Sequence, residues 1–104
     1  MKYEIRYFFD PGSGVCLWAR NAAACEKFGY PIDHWNLDLS ENTKRWLQHL
    51  IAWFDTELDW ERPPETRWSE EDRNRFRQAA IKGIELLRAE LPLPQWEFFD
   101  ETNI

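Results

Sequence analysis

Hydrophobic and polar residues alternate at the start of the chain. One set of alternate positions in residues 2–9 holds Tyr3, Ile5, Tyr7 and Phe9, and the other holds Lys2, Glu4, Arg6 and Phe8. A period of two with aromatic and β-branched residues predicts a half-buried strand. Residues 15–18 are apolar on both faces, which predicts a central second strand. The intervening Asp10-Pro11-Gly12-Ser13-Gly14 predicts a tight hairpin loop, because proline presets a turn dihedral and glycine allows positive φ.

The middle of the chain predicts a short helix and then a long amphipathic one. Asn21 is a suitable N-cap for a helix over residues 22–28, and Gly29 suits its C-terminal end. Residues 30–32 should be extended, because the residue before a proline avoids the α region. Asp38 or Ser40 would cap the second helix. Its apolar stripe is Trp46, Leu47, Leu50, Ile51 and Phe54.

A third helix and a last strand complete the pattern. Ser69 followed by three acids is a strong helix start, favoured by the helix dipole. The predicted core face of this helix is Phe76, Ala80, Ile84, Leu87 and Leu91. Prolines 92 and 94 end it, and residues 95–99 predict a short strand with Trp96 and Phe98 on one face. Residues 100–104 are predicted to be frayed.

Together these elements predict an α+β fold in one domain, residues 1–104. About three strands would form a small antiparallel sheet packed on two long helices. The order along the chain is β-β-α-α-α-β, and the last strand should pair beside the first or the second.

Charge and composition limit which classes of molecule the protein is expected to bind. The net charge is −6, with the excess in residues 55–61 and near the C-terminus. This disfavours nucleic acid, whose phosphates require a basic patch, and is compatible with a basic protein partner. No apolar run approaches the roughly 20 residues of a membrane span, and no signal peptide is recognisable, so we expect a cytoplasmic protein without a membrane partner. Cys16 and Cys25 are expected to be reduced, buried thiols.

The sequence contains no recognisable catalytic or metal-binding motif. Its two histidines and two cysteines have neither C-x-x-C nor H-x-x-x-H spacing. The glycine-rich loop lacks the lysine of a phosphate-binding loop, and Ser13 has no base nearby. We therefore predict no enzyme activity, no metal and no cofactor. His34 is expected to be a surface or capping residue, and a small enzyme would have to rely on His34, His49 and Cys25.

Residues 53–68, which we call the elbow, join the two long helices around Pro63-Pro64. Tryptophan is a favoured binding anchor, because it buries a large area and keeps a polar handle. For Trp18 and Trp46 we expect a core role, stapling helices to the sheet, whereas Trp60 lies between two acids in a proline-bounded connection. The predicted partner-binding residues are Asp55, Glu57, Asp59, Trp60 and Glu61.

Several segments resemble a group of small uncharacterised bacterial cytoplasmic proteins. These are residues 10–18, Asn21, Gly29-Tyr30-Pro31-Ile32, Leu37-x-Leu39-Ser40 and residues 54–60, so the likeness covers about residues 8–91. In size, acidity and aromatic content the chain also resembles the immunity proteins of polymorphic and contact-dependent inhibition toxin systems.

The second resemblance implies an immunity protein that binds and neutralises a cognate toxin, many of which are basic nucleases. Two other classes stay open. An adaptor or regulatory subunit would use the same surface on a harmless partner. A self-associating structural protein would bury Trp60 in a homodimer.

Overall fold

The computed structural model describes residues 1–63 and 65–104; Pro64, part of the predicted proline break, lies outside the described residues. The strands are β1 (Tyr3–Tyr7), β2 (Leu17–Ala19), β3 (Pro31–Ile32) and β4 (Trp96–Asp100). The helices are α1 (Ala22–Phe28), α2 (Glu41–Phe54) and α3 (Glu70–Glu90), with a 3₁₀ turn at His34–Asn36. This confirms the α+β class and the packing on two long helices.

The sheet has four strands in the order β3-β2-β1-β4, so the expected three-stranded sheet gains the short β3. The last strand does pair beside the first, but it is parallel to β1, and the sheet is mixed rather than antiparallel. The direction follows from the path of the chain. Residue 95 reaches the end of the sheet where β1 begins, and Tyr3 N donates to Gln95 O over 2.7 Å. β4 must then run alongside β1 in the same direction.

Local capping chemistry sets the helix starts. Asn21 caps α1 by accepting a hydrogen bond from Ala24 N at 3.0 Å. Ser69 and Asp72 form a reciprocal capping box at the start of α3. For α2 the cap is Ser40, whose Oγ accepts from Thr43 N at 3.2 Å. The alternative Asp38 cap is wrong, because Asp38 lies outside the first turn.

The core lies between the helices and one face of the sheet. Every residue of the predicted α3 core face is buried, as are Leu47, Leu50 and Ile51 of α2. Tyr7 from β1 is fully buried and donates its hydroxyl to Ala80 O of α3 at 2.8 Å. Gly83 allows this close approach, because a Cβ there would lie 2.5 Å from the Tyr7 hydroxyl.

Four expectations about single residues or segments are wrong. Cys25 is exposed, whereas Cys16 is buried as expected. His34 is 2% exposed, because the 3₁₀ turn directs it inward. Trp18 stacks on Phe8, on the sheet face opposite the helices, and therefore staples no helix. The C-terminus is not frayed, since Arg77 donates to Ile104 O at 3.1 and 2.6 Å.

Candidate functional site

Trp53 and Trp68, at the two ends of the elbow, belong to an aromatic cluster that closes the core. Their ring centroids lie 5.2 Å and 5.0 Å from that of Phe76 in α3. Trp68 Nε1 also donates to Thr56 Oγ1 at 3.0 Å. Both side chains are half-buried against the core. They hold the elbow in place and offer little area to a partner.

Between these two tryptophans the elbow folds back on itself. Asp59 N donates to Glu65 O at 2.8 Å, and Arg67 N donates to Glu57 O at 2.7 Å. An isolated antiparallel bridge joins Leu58 to Thr66. A connection tied across its width by backbone hydrogen bonds presents its side chains from a fixed position.

Trp60, at the tip, is 55% exposed. Its Nε1 donates to Asp55 O at 3.0 Å. The ring edge lies over Gly12 of the β1–β2 loop, where an added Cβ would be 3.3 Å from Trp60 Cη2. Gly12 has a φ of +82°, a conformation that favours glycine. The indole is thus both accessible and oriented before any partner arrives.

Two of the predicted acidic residues are partly used inside the molecule. Asp55 Oδ1 accepts from Gly12 N at 2.9 Å, which ties the elbow to the β1–β2 loop. Glu57 lies 3.5 Å from the Arg73 guanidinium and its side chain is only 18% exposed. These two carboxylates support the elbow and contribute less surface charge than their alternation in sequence suggested.

Asp59 and Glu61 differ in how far their carboxylates are used inside the molecule. Asp59 Oδ1 accepts from Glu61 N at 3.1 Å and from Arg62 N at 3.3 Å, and the side chain is 13% exposed. Glu61 is exposed, and among residues 1–63 and 65–104 its carboxylate has no hydrogen-bond or ion-pair partner. The elbow therefore brings the five predicted residues together, and Trp60 and Glu61 are the two of the five that are exposed.

Sequence reasoning missed the residues that support this site from outside the elbow. Gly12 receives the Trp60 ring and donates to Asp55, and Arg73 pairs with Glu57. The turn sequence around Gly12 signalled a positive φ and gave no indication of a contact 43 residues away. Arg73 stands in a helix with three other arginines, and no local pattern distinguishes it.

The residues that could carry chemistry are dispersed. Burial raises the pKa of the Cys16 thiol and lowers the pKa of His34. His49 lies on α2 between the rings of Trp46 and Trp53. Among the residues with described positions, no three His, Cys, Asp or Glu side chains are grouped as a metal site. What the elbow geometry offers is an exposed aromatic ring held in a fixed orientation.

The sequence model of the Serratia CdiI immunity protein-like family matches residues 3–100, from the first residue of β1 to the last of β4. The chain belongs to this family. Membership in the Serratia CdiI immunity protein-like family confirms the resemblance to contact-dependent inhibition immunity proteins.

No curated protein matches the chain. Across the described parts of this family member, no helix combines the length and the apolar character that crossing a bilayer requires.

Proposed function

We propose that this protein is an immunity protein that neutralises a cognate bacterial toxin by binding it directly in the cytoplasm. The observation that carries the proposal is the match of the immunity family over residues 3–100. The net charge of −6 favours a basic toxin domain as the partner and disfavours nucleic acid. Neutralisation by masking the toxin's active surface needs no catalytic residue, cofactor or metal.

The partner-binding surface in this proposal is the elbow, through Asp55, Glu57, Asp59, Trp60 and Glu61. Trp60 supplies an exposed anchor whose orientation is fixed by the Asp55 carbonyl, so little side-chain entropy remains to be lost on binding. Glu61 supplies a charge beside it that has no partner among the described residues 1–63 and 65–104. Charge accelerates encounter, whereas a buried aromatic anchor slows release.

Capture of the partner tests the function. The tagged protein is used to isolate binding partners from its native cell lysate, followed by washes of increasing salt. The proposal requires a stoichiometric basic protein that kills cells when expressed alone and is harmless when co-expressed. A harmless partner would point to an adaptor, and recovery of only a second copy of the chain would point to self-association. Either result overturns the immunity proposal.

Charge reversal tests the location of the surface. Glu61→Lys should weaken toxin binding by roughly tenfold or less, mainly through slower association, and reduce its salt dependence. The double variant Asp59→Lys, Glu61→Lys should have the larger effect. It also removes the Asp59 hydrogen bonds within the elbow, so the single variant is the cleaner probe.

Glu85→Lys is the matched control, because it makes the same change in net charge at an exposed position of α3. It should leave most of the affinity intact. Unchanged affinity in the Asp59, Glu61 double variant would contradict the elbow as the binding surface and leave the immunity function standing.

A further inference from the structure

The sheet has an open face whose composition differs from that of the elbow. Alternation along β1 puts Arg6 on the side away from the core, and the ring of Phe8, just after the strand, lies under Arg6 on that same side. In register with Arg6, Trp18 of β2 and Phe99 of β4 lie on the same side. Within the part of the chain that the structure describes, the buried strand residues that pack against the helices, such as Ile5, Tyr7 and Leu17, alternate to the other face.

Three aromatic rings on this face form a contiguous group, which we call the aromatic platform: Phe8, Trp18 and Tyr30. The Phe8 and Trp18 rings are stacked, with centroids 4.7 Å apart and 7° between planes. Tyr30 lies 5.6 Å from Trp18 and is 48% exposed. Trp18 Nε1 donates to Phe8 O at 3.2 Å, which fixes the central ring. The platform is therefore preorganised in the way that binding anchors are.

The charges around the aromatic platform cancel. Three ion pairs lie on the same side of the sheet as the platform: Lys2 with Glu97, Arg6 with Glu101, and Arg20 with Glu4. Arg6 also lies over the Phe8 ring at 4.9 Å, and Arg20 lies over the Phe99 ring at 4.1 Å. A face with three bases and three acids paired together gives no net attraction to a basic surface. It complements an apolar surface of low net charge.

The area of the open face limits which partner it can bind by itself. The four strands hold 5, 3, 2 and 5 residues. At about 3.3 Å of rise per residue and about 4.8 Å between strands, these fifteen residues give a face of roughly 240 Å². A stable interface buries roughly 800 Å² on each partner, so the open face alone is too small to hold a second copy of this chain. Added to a neighbouring contact surface, the same area would be a substantial contribution.

The elbow is that neighbouring surface. Phe8 begins the β1–β2 loop, with its N donating to Cys16 O at 3.1 Å, and Gly12 of the same loop carries the contacts to Asp55 and Trp60. We propose that the aromatic platform is a second part of the toxin interface, contacting an apolar, uncharged region beside the basic region that faces the elbow. This rests on the proposed immunity function and extends its surface across the β1–β2 loop.

The test uses the full chain and, as the probe, the toxin isolated in the capture experiment. Tyr30→Ala should weaken toxin binding about tenfold or more, through faster dissociation and with no change in salt dependence. Tyr30→Phe should retain most of the affinity. Trp35→Ala is the matched control, since it removes another exposed aromatic ring, at the 3₁₀ turn. Thermal unfolding of each variant verifies that Tyr30→Ala is folded.

The outcomes separate the two proposals. If wild-type protein binds the toxin and Tyr30→Ala binds equally well, the platform proposal is wrong and the immunity function stands. If no toxin binds wild-type protein, both are wrong. If sedimentation shows wild-type dimers that Tyr30→Ala dissociates, the platform is occupied by a second copy, which overturns the assignment to the toxin.

Discussion

The outer and middle tryptophans of the elbow come from one stretch of chain and have opposite surroundings. Trp53 and Trp68 pack on Phe76 at the edge of the core, whereas Trp60 is 55% exposed and rests on a loop glycine. The difference arises from what each is attached to. Trp53 belongs to α2, and Trp68 directly precedes the N-cap of α3. The position of each ring is therefore set by a helix whose buried face is held in the core. Trp60 is at the tip, which no helix positions.

This contrast separates stability from recognition within one segment. A side chain in the aromatic cluster contributes to the free energy of unfolding through close packing. A side chain at the tip contributes little to folding and, in the proposed function, keeps its area for the toxin. The following predictions test that separation, beginning with the largest expected change.

Phe76→Ala should destabilise the protein far more than Trp60→Ala. Phe76 is fully buried and contacts the rings of Trp53 and Trp68, so its loss should lower the free energy of unfolding by about 3–5 kcal/mol. Trp60→Ala removes an exposed ring and one hydrogen bond, at a cost of about 1 kcal/mol or less. Urea unfolding at pH 7 measures both. Equal costs would mean that the elbow tip is part of the core after all.

Gly83→Ala should show how specifically the buried side is packed. Alanine in a helix is normally favoured over glycine by about 1 kcal/mol. Here the new Cβ would lie 2.5 Å from the Tyr7 hydroxyl and 3.0 Å from Leu50 Cδ1, so we expect a net loss of about 1–3 kcal/mol.

Tyr7→Phe provides the matched test of the cause. Alone it removes the hydrogen bond to Ala80 O and should cost about 1 kcal/mol. Combined with Gly83→Ala it also removes the closest atom of the clash, so the double variant should lose less stability than the sum of the single variants. Strictly additive losses, measured by urea unfolding, would show that the Tyr7 hydroxyl does not limit the space at Gly83.

The same contrast explains which features the sequence could predict. Periodicity and capping identified the three helices, because their signals are local: the Asn21 and Ser69 caps, and stripes of apolar residues that are buried or packed against the core. The parallel direction of β4 depends on where α3 returns the chain, and no local pattern encodes that path.

The candidate surface was predictable only in part. The sequence places Trp60 beside acids, and the structure leaves it exposed. That Asp55 would bind Gly12, or that Glu57 would pair with Arg73, depends on contacts between distant segments. The aromatic platform was hidden for a similar reason. Phe8 falls on the polar side of the β1 alternation, and only the strand register brings Trp18 beside it.

The two histidines show the same contrast between a buried and an exposed side chain. The dependence of stability on pH that follows from it is the smallest effect that we expect. Burial lowers the pKa of His34 from its usual 6.5, against an opposing effect of Asp33, and its buried Nε2 has no hydrogen-bond partner within the described chain. Between that lowered pKa and 6.5 the unfolded chain binds a proton that the folded protein does not. Stability is therefore complete above about pH 6.5 and is lost as the pH falls. The carboxyls with lowered pKa values, Asp72, Glu90 and Glu101, act only at lower pH, because their ordinary values are 3.8 and 4.5.

Urea unfolding at pH 7.0 and 5.5 should show a decrease for wild-type protein that His34→Gln reduces. His49→Gln is the control, because His49 is exposed on α2 and should leave the decrease unchanged. An identical pH dependence in wild type and His34→Gln would mean that the buried imidazole can be charged without loss, and that water or a shifted side chain reaches Nε2. The histidines would then differ in position but not in surroundings, unlike the elbow tryptophans.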